Sequence, residues 1–308
     1  MYLEYCADGH FEAATGTLVL EGGEGKGRGS GKGSDELVRF KSCMWVPDTK
    51  DGGASVWVRQ IDGKDLPRWS EEAGHSSHAG PLEKTTRPAI EVEDNSTAAE
   101  REKRAVHAHC HCRGVEFWLT PPNAASTDAA SPFPDLMVPH YLDQSANPDN
   151  VPWWLSSSGG KYLAGTCTCH SCRRASGFDI TFWAFVPTAN IVLSPPSQPA
   201  SPIPFPPSTT GFPTWGTMRT YASSPGVTRT FCSRCGANVF WAGDEERFGR
   251  RGLVDVAVGL LDAGSGARAE EVLAWWTGRV SFAEDAVHRG LVAGLERGLE
   301  EWAEKVKG

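Results

Sequence analysis

Hydrophobic and polar positions follow a strand-like pattern through most of the second half of the chain, and a helical period holds only at the C-terminal end. Apolar residues recur at 287, 291, 292, 295, 299 and 302 between Phe282 and Lys307, which predicts a helix. A mainly β protein with a C-terminal helix is therefore predicted. The predicted strands lie at 115–122, 162–172 (running into a tight turn), 178–187, 217–222, 227–232, 237–242 and 254–262.

Low-complexity and polar segments divide the chain. The first part contains short β-like runs at 16–20, 37–40 and 54–58, separated by turn sequences and by the glycine-rich run GGEGKGRGSGKGS. A polar and charged stretch without a sustained period follows, as is typical of a linker. We therefore expect a first unit at 1–72, a linker at 73–105, a second unit at 106–285 and the C-terminal helix at 286–308.

Composition and charge exclude several classes of function. Acidic residues outnumber basic ones by 38 to 30, and the net charge of −8 argues against general binding to nucleic acid or to an anionic membrane. The sequence contains no apolar run long enough to span a bilayer, and its N-terminus lacks the pattern of a signal peptide. We expect a cytoplasmic protein, with a nuclear location as the alternative. In a reducing compartment, nine cysteines are more typical of metal ligands or reactive groups than of disulfides.

Seven of the nine cysteines fall into three clusters, and the last cluster carries the strongest signal. Cys232, Cys235 and Gly236 form C-x-x-C-G, which is typical of a zinc knuckle whose glycine takes a positive φ. Two thiolates are half of a closed zinc site, because such a site needs four ligands. Cys110 and Cys112 can supply the other two. A disulfide between Cys232 and Cys235 is an alternative, although no βαβ pattern surrounds them.

The middle cluster is then a group of three, Cys167, Cys169 and Cys172. Three thiolates with one open position are the arrangement of a catalytic metal, and soft thiolates favour zinc, with copper(I) as an alternative. Arg173 and Arg174 follow directly. They could offset the negative charge of the metal site or hold a carboxylate-bearing ligand by bidentate hydrogen bonds.

Other interpretations of these clusters stay open. His170 could close the three-cysteine site as a fourth ligand, although its place within the loop makes it a poor one. His107, His109 and His111 flank the first pair, and we interpret them as solvated residues, with metal binding as the alternative. Redox sensing through Cys167 and Cys172 is a further alternative, and it would need an accessible thiol of low pKa and no metal.

Four residues near the clusters are interpreted as structural. Arg229 and Tyr221 precede the knuckle and could line the same cleft as its cysteines. A surface arginine and a core tyrosine are the commoner case, and we expect that arrangement here. Phe182 and Trp183 follow the three-cysteine loop and are expected in the core.

Three segments of the second unit, taken in order, carry a family resemblance. They are CHCRGVEF, GTCTCHSCRRASGFDITFWAFVP and YASSPGVTRTFCSRCGANVFW. Together they resemble the glutathione-dependent formaldehyde-activating enzyme family, which includes centromere protein V-like proteins. The resemblance implies a β-tent fold and two zinc ions. It implies a structural zinc on Cys110, Cys112, Cys232 and Cys235 and a catalytic zinc on Cys167, Cys169 and Cys172, which agrees with the partition from ligand counting.

The resemblance also implies a reaction. Family members join glutathione and formaldehyde into S-hydroxymethylglutathione, or release them, so the implied partners are a small thiol such as glutathione and a small electrophile. We expect a zinc-dependent carbon–sulfur lyase in which Cys167, Cys169 and Cys172 are catalytic and Arg173 and Arg174 contact glutathione. The alternative is a zinc-stabilised binding module of the centromere protein V-like kind without catalysis, for which a basic segment beside the domain would be typical.

The first unit resembles the latter half of a second domain of this family, as in fungal tandem-repeat members. The resemblance lies in segments 9–20 and 43–69, and ATGTLVL at 14–20 weakly parallels AVGLLDA at 257–263. Cys6 and Cys43 are too far apart to form a metal site in this copy. Two explanations of the first unit stay open. It is either a truncated repeat or a genuine half-domain that covers edge strands of the second unit.

Two insertions depart from the family pattern. The segments at 123–160 and 194–216 are long for the family. We expect them to cover or remodel the substrate entrance, so the substrate is less well determined than the metal chemistry.

Overall fold

The computed structural model describes residues 3–5, 11–13, 40–74, 76–78, 104–142, 146–195, 198–199, 201–205 and 211–307, the first two ranges as backbone only. The predicted strand at 16–20, the glycine-rich run and most of the predicted linker lie outside these residues. The helices are α1 (His170–Ser176), α2 (Glu245–Phe248) and α3 (Arg289–Lys307). The strands are β1 (Leu3–Tyr5), β2 (Phe11–Ala13), β3 (Gln60–Ile61), β4 (Lys64–Asp65), β5 (Val106–His109), β6 (Glu116–Leu119), β7 (Tyr162–Cys167), β8 (Thr181–Pro187), β9 (Ile191–Val192), β10 (Met218–Ser224), β11 (Val227–Cys232), β12 (Asn238–Gly243), β13 (Leu253–Ala257) and β14 (Leu273–Trp275).

A seven-stranded mixed sheet is the centre of the fold. Its strand order is β10, β11, β12, β13, β8, β7 and β14, and all neighbours are antiparallel except the parallel pair of β7 and β14. Every residue of β7 is buried, whereas β10 at the edge is mostly exposed. The strands β5, β6 and β9 form a smaller sheet. The prediction of a mainly β protein with a C-terminal helix is confirmed.

Helix α3 buries four of the six apolar residues that the period predicted, while Val287 precedes the helix and Trp302 is half-buried. Leu291, Val292, Leu295 and Leu299 lie in the main hydrophobic core, which also contains strand residues of both sheets. Trp57 of the first unit joins the same core, and its ring centroid lies 4.9 Å from that of Trp275. The described part of the first unit, from residue 40 onward, therefore packs on the second unit.

A stripe of glycines lets the first unit approach α3 closely. Gly290, Gly294 and Gly298 are spaced four residues apart and face the segment 57–62. A Cβ at Gly298 would lie 1.7 Å from the carbonyl oxygen of Trp57, and one at Gly294 would lie 2.3 Å from that of Gln60. Side chains at these positions would separate the helix from the segment.

The predicted strand at 54–58 is wrong. Residues Gly53–Val56 form a 3-10 helix, and Gly52 before it has φ of 84°. The Asp51 carboxylate accepts a hydrogen bond from the Gly53 N–H at 2.8 Å, which stabilises the turn. The two consecutive glycines and the acidic residue before them favour this tight turn over an extended strand.

The insertion at 123–160 has its own small core. Leu136, Trp153 and Trp154 pack against Leu163 of β7 and Phe185 of β8. Leu136 lies directly over Gly165, where a Cβ would come within 2.3 Å of a Leu136 methyl group. The segment is therefore fixed on one face of the large sheet.

Candidate metal centres

Two hairpin turns bring four cysteines together. Cys110 and Cys112 lie in the turn between β5 and β6, and Cys232 and Cys235 lie at the turn between β11 and β12. Gly236 has φ of 76°, as the C-x-x-C-G pattern predicted, and its N–H donates to the Cys232 carbonyl at 2.9 Å. The cysteines that the structure describes are all free thiols, so the alternative disulfide between Cys232 and Cys235 is not formed.

The spacing of the four sulfur atoms fits a tetrahedral ion. All four Sγ atoms lie within 4.8 Å of one another, with Cys110 to Cys112 at 3.6 Å and Cys112 to Cys232 at 3.5 Å. Zinc–sulfur bonds of about 2.3 Å in a tetrahedron place sulfurs about 3.8 Å apart. The four cysteines could therefore hold one metal ion.

Two glycines allow the loops of this cluster to touch. The Thr217 N–H donates to the Gly114 carbonyl at 2.8 Å, and a Cβ at Gly114 would lie 2.2 Å from Thr217 Oγ1. Gly216 has φ of 55°, and a Cβ there would lie 2.0 Å from the Gly114 carbonyl oxygen. Thr217 Oγ1 in turn lies 2.9 Å from Cys232 Sγ.

The surroundings of Cys232 favour its thiolate. Burial raises the pKa of this thiol, but hydrogen bonds from Thr217 and from the backbone N–H groups of Cys235 and Arg234 lower the pKa to about 6. Hydrogen bonds to sulfur stabilise the charged form, which is the form that binds a metal. The hydrogen-bond donors around the Cys232 sulfur are thus those expected around a thiolate that binds a metal.

The three-cysteine cluster is built at the junction of β7 and α1. Cys167 ends β7, Cys169 caps the N-terminus of α1, and Cys172 lies in the first turn of that helix. Cys169 Sγ accepts a hydrogen bond from the Cys172 N–H at 3.3 Å. The three Sγ atoms lie within 4.8 Å of one another, so this cluster could also hold a metal ion. The short helix α1 was not predicted, because seven residues are too few for a helical period.

Arg229 connects strand β11 of the large sheet to this cluster. Its Nη2 group donates to Cys172 Sγ at 3.4 Å and to Ser171 Oγ at 3.0 Å, and its side chain is buried. Hydrogen bonds from Cys167 and Cys169, and then the charge of Arg229, lower the pKa of Cys172 well below its usual value. The expectation of a surface arginine and a core tyrosine is wrong for both residues, because Arg229 is 4% exposed and Tyr221 is 57% exposed.

The three-cysteine cluster lies in the wall of a cavity of about 610 Å³. All three cysteines line this cavity, whereas none of the four-cysteine cluster does. Its volume is in the range typical of small-molecule sites. The two cysteine clusters thus differ in their surroundings.

One row of cross-strand neighbours forms much of the cavity floor. Arg229 pairs with Trp241, Trp241 with Asp255, and Asp255 with Phe185, on four adjacent strands. All four side chains line the cavity. The sequence analysis missed Trp241 and Asp255, although the hairpin of β11 and β12 places Arg229 and Trp241 opposite each other once its register is known.

The charged residues in the floor of the cavity are paired. Arg250 donates from Nη2 to Asp255 Oδ1 at 2.6 Å, and its guanidinium carbon lies 4.9 Å from the Trp241 ring centroid. Burial raises the pKa of Asp255, and the charge of Arg250 opposes this effect. Asp135, from the insertion, is bound by Arg279 at 3.1 Å.

The predicted glutathione contacts lie elsewhere. Arg173 is buried, with Nη2 3.5 Å from His170 Nδ1, and Arg174 is exposed. Neither lines the cavity. His170 itself is exposed and is absent from the three-cysteine group that could hold a metal. Whether Arg173 and Arg174 contact a ligand stays a prediction.

The other histidines that were considered as ligands also lie outside the clusters. His107 stacks on Trp118, with ring centroids 4.7 Å apart, and His109 Nδ1 lies 3.1 Å from the Cys110 carbonyl oxygen. His111 is exposed. Trp183 is buried as predicted, but it packs against Cys167 and Cys172 and lines the cavity.

No helix among the described residues is long and apolar enough to cross a membrane. Comparison with models of protein families gives no match. Comparison with curated proteins also gives none. What the chain does must therefore be argued from the geometry of the two clusters.

Proposed function

We propose that this chain is a zinc-dependent carbon–sulfur lyase with the β-tent fold of the glutathione-dependent formaldehyde-activating enzyme family. In this proposal Cys110, Cys112, Cys232 and Cys235 hold a structural zinc, and Cys167, Cys169 and Cys172 hold a catalytic zinc. The observation that carries the proposal is that only the three-cysteine group lines the 610 Å³ cavity. A structural site is closed by four ligands, whereas a catalytic site has three protein ligands and access to substrate.

The chemistry of the donor set supports zinc at both clusters. Thiolates favour zinc over hard cations such as magnesium and calcium. Cys167, Cys169 and Cys172 would hold the zinc ion, which would supply a positive charge that lowers the pKa of a substrate thiol beside it. The proposed substrates are a small thiol such as glutathione and an aldehyde.

The reaction is the addition of a thiol to a carbonyl group, or its reversal. The S–H bond breaks and a bond forms between sulfur and the carbonyl carbon. The π electrons of the carbonyl group pass to oxygen, which takes the proton that the thiol released. In the reverse direction the hydroxyl loses its proton and the carbon–sulfur bond breaks, so no oxidant or reductant is needed.

The chain's own residues contribute charge balance and exclusion of water. Arg229 donates to Cys172 Sγ and offsets the negative charge of three thiolates around one zinc ion. Aromatic side chains such as Trp183 and Phe282 line the cavity next to the cysteines, and an apolar wall strengthens the electrostatic interactions there. Arg247 is exposed and lines the same cavity, which Arg173 and Arg174 do not, and this makes Arg247 a candidate to bind a carboxylate of glutathione there.

Zinc stoichiometry with and without glutathione tests the proposal. We expect two zinc ions per chain, with the coordination of one changing when glutathione is added, as seen by X-ray absorption at the zinc edge. Cys169→Ser should lose that response and the formation of S-hydroxymethylglutathione, measured by NMR. Cys43→Ser is the matched control, because Cys43 is a described thiol outside both clusters.

The opposite result favours the alternative function. A single tightly held zinc, unaffected by glutathione and by Cys169→Ser, would contradict the lyase. The protein would then be a zinc-stabilised binding module without catalysis.

A further inference from the structure

The cavity beside the three-cysteine cluster is much larger than a one-carbon aldehyde requires. Its volume is about 610 Å³. A water molecule occupies roughly 30 Å³ of liquid, so the cavity would hold on the order of twenty waters. Formaldehyde, which has the size of a water or two on this scale, would fill a small part of it, and the rest has to hold the thiol substrate together with any larger electrophile.

The lining of the cavity is mostly apolar, and much of it is aromatic. Trp183, Phe185 and Trp241 contribute from the sheet, and Phe248 and Phe282 contribute from the segments beside it. Flat aromatic walls bind ring-sized apolar groups by area burial and by stacked or edge-on contacts. The polar side chains around the cysteines, such as Ser171 and Arg229, bond to each other at 3.0 Å.

The remaining wall comes from residues 131–138 of the insertion, and its position is fixed. Leu136 packs on Gly165, where there is no room for a Cβ. The Asp135 carboxylate accepts hydrogen bonds from the Phe282 N–H at 2.6 Å and from the His140 N–H at 2.7 Å. Because Asp135 and Leu136 hold the middle of this segment against Phe282 and Gly165, the cavity is preformed and its space is available to a ligand.

We propose that the electrophile of this site is a bulky aromatic aldehyde, whose ring occupies the space under residues 131–138 while its carbonyl group faces the three cysteines. This inference rests on the proposed function and specifies its substrate class. The addition step is the one described above, with the aromatic aldehyde in place of formaldehyde.

A binding measurement on the full-length, zinc-loaded protein tests this inference without catalysis. The probes are 2-naphthalenemethanol, which is an unreactive analogue of an aromatic aldehyde, and methanol, which is its one-carbon counterpart. Ligand-observed NMR titration should give a single site for the naphthyl alcohol, with a Kd at least 100-fold below that of methanol.

Cavity-filling variants locate the bound probe. Val138 lies in the half-buried wall segment, and Val227 lies in the buried strand β11. The Val138→Trp variant therefore remains informative if the Val227→Phe variant fails to fold. Each should weaken naphthyl binding at least tenfold while the zinc content stays unchanged. Val151→Trp is the matched control, because Val151 is exposed and does not line the cavity.

The outcomes separate this inference from the proposed function. Naphthyl binding no tighter than methanol binding, or binding unchanged in Val138→Trp, overturns the inference. If formaldehyde and glutathione still react, the lyase proposal survives that result. The converse result is that Val138→Trp weakens naphthyl binding but the protein forms or breaks no carbon–sulfur bond with any aldehyde. That result would support the ligand site and contradict the lyase.

Discussion

At the scale of single residues, Arg229 brings a buried positive charge to the three-cysteine cluster. It lies on β11, 57 positions along the chain from Cys172, and its guanidinium group donates to that thiol. A buried arginine needs compensating partners, and here they are Cys172, Ser171 and Ser223. Groups that donate to metal ligands tune metal affinity, so Arg229 is a positioning residue for any ion bound there.

Arg229→Gln should weaken metal binding at the three-cysteine cluster by about 10- to 100-fold. The charge that stabilises the Cys172 thiolate is lost, while the four-cysteine cluster keeps all its contacts. Competition with a chromophoric chelator, on protein loaded with zinc, measures the affinity of each cluster separately. Arg219→Gln on the exposed edge strand β10 is the control. Equal zinc release from both variants would show that Arg229 does not act on the metal.

At the scale of elements, the insertion is fastened to the segment that pairs with the end of β7. Asp135 Oδ1 accepts hydrogen bonds from Arg279, Ser281 and Phe282. Ser281 in turn donates its N–H to the Thr166 carbonyl at 2.9 Å and accepts from the Thr168 N–H at 3.0 Å. One carboxylate therefore links the cavity wall to the strand end that carries Cys167.

Asp135→Asn should destabilise the protein by about 2 kcal/mol, because hydrogen bonds to a charged acceptor contribute roughly 1.5–3 kcal/mol and an amide cannot accept at both positions. Denaturant unfolding measures the change in the free energy of unfolding. Asp128→Asn, at an exposed position in the same insertion, should change it by less than about 0.5 kcal/mol. Equal changes in the free energy of unfolding for Asp135→Asn and Asp128→Asn would contradict the linking role of Asp135.

Gly298→Ala should destabilise the protein by about 2 kcal/mol or more, although alanine favours an isolated helix by about 1 kcal/mol. The new Cβ would collide with the Trp57 carbonyl oxygen, which is backbone and cannot turn aside. Thermal unfolding measures the effect. Gly160→Ala, where the nearest atom is a serine hydroxyl at 3.6 Å, is the control. An increase in Tm for Gly298→Ala would mean that α3 and segment 57–62 are not in close contact.

At the scale of the whole molecule, a buried ionic network attaches the first unit to the second. Arg268 is 2% exposed, donates from its backbone N–H to Asp51 Oδ2 at 2.8 Å, and donates from Nε to Glu270 Oε1 at 2.5 Å. Its Nη1 group also donates to the Asp51 carbonyl at 2.6 Å. Residues 40–72 thus share both an apolar core and a charged contact with the second unit.

Arg268→Met should cost about 3–5 kcal/mol, because it leaves two buried carboxylates without their cation. The loss should appear in chemical denaturation, together with increased proteolysis within residues 40–72 in the native state. Arg251→Met removes an exposed pair with Glu245 at 3.9 Å and should cost about 0–1 kcal/mol. A stability loss no larger than that of Arg251→Met would contradict a role for the network in docking.

Metal removal should separate the two clusters by their effect on the fold. The four-cysteine cluster joins the β5–β6 turn to the β11–β12 turn, so loss of its ion should lower Tm sharply. Loss of the ion at the three-cysteine cluster should leave the strands paired, because its ligands lie within six residues. Stepwise chelation followed by circular dichroism tests this order. Unfolding on release of the first, weaker zinc would contradict it.

The sequence by itself determined the features that depend on near neighbours. Alternation predicted β6, β8, β10, β11 and β12, and the period of 3.6 residues predicted α3. Ligand counting separated the cysteines into a group of four and a group of three, because thiols two or three residues apart reach one ion whatever surrounds them.

Only the tertiary structure decided what surrounds the two cysteine clusters. The burial of Arg229, the row from Arg229 to Phe185 across four strands, and the wall at 131–138 depend on sheet order and register. These features depend on residues far apart in the chain, and a local pattern of polar and apolar positions does not encode which distant strands meet. The spacing of the cysteines thus indicated which residues could hold a metal ion. Long-range packing determined the cavity beside the three-cysteine cluster.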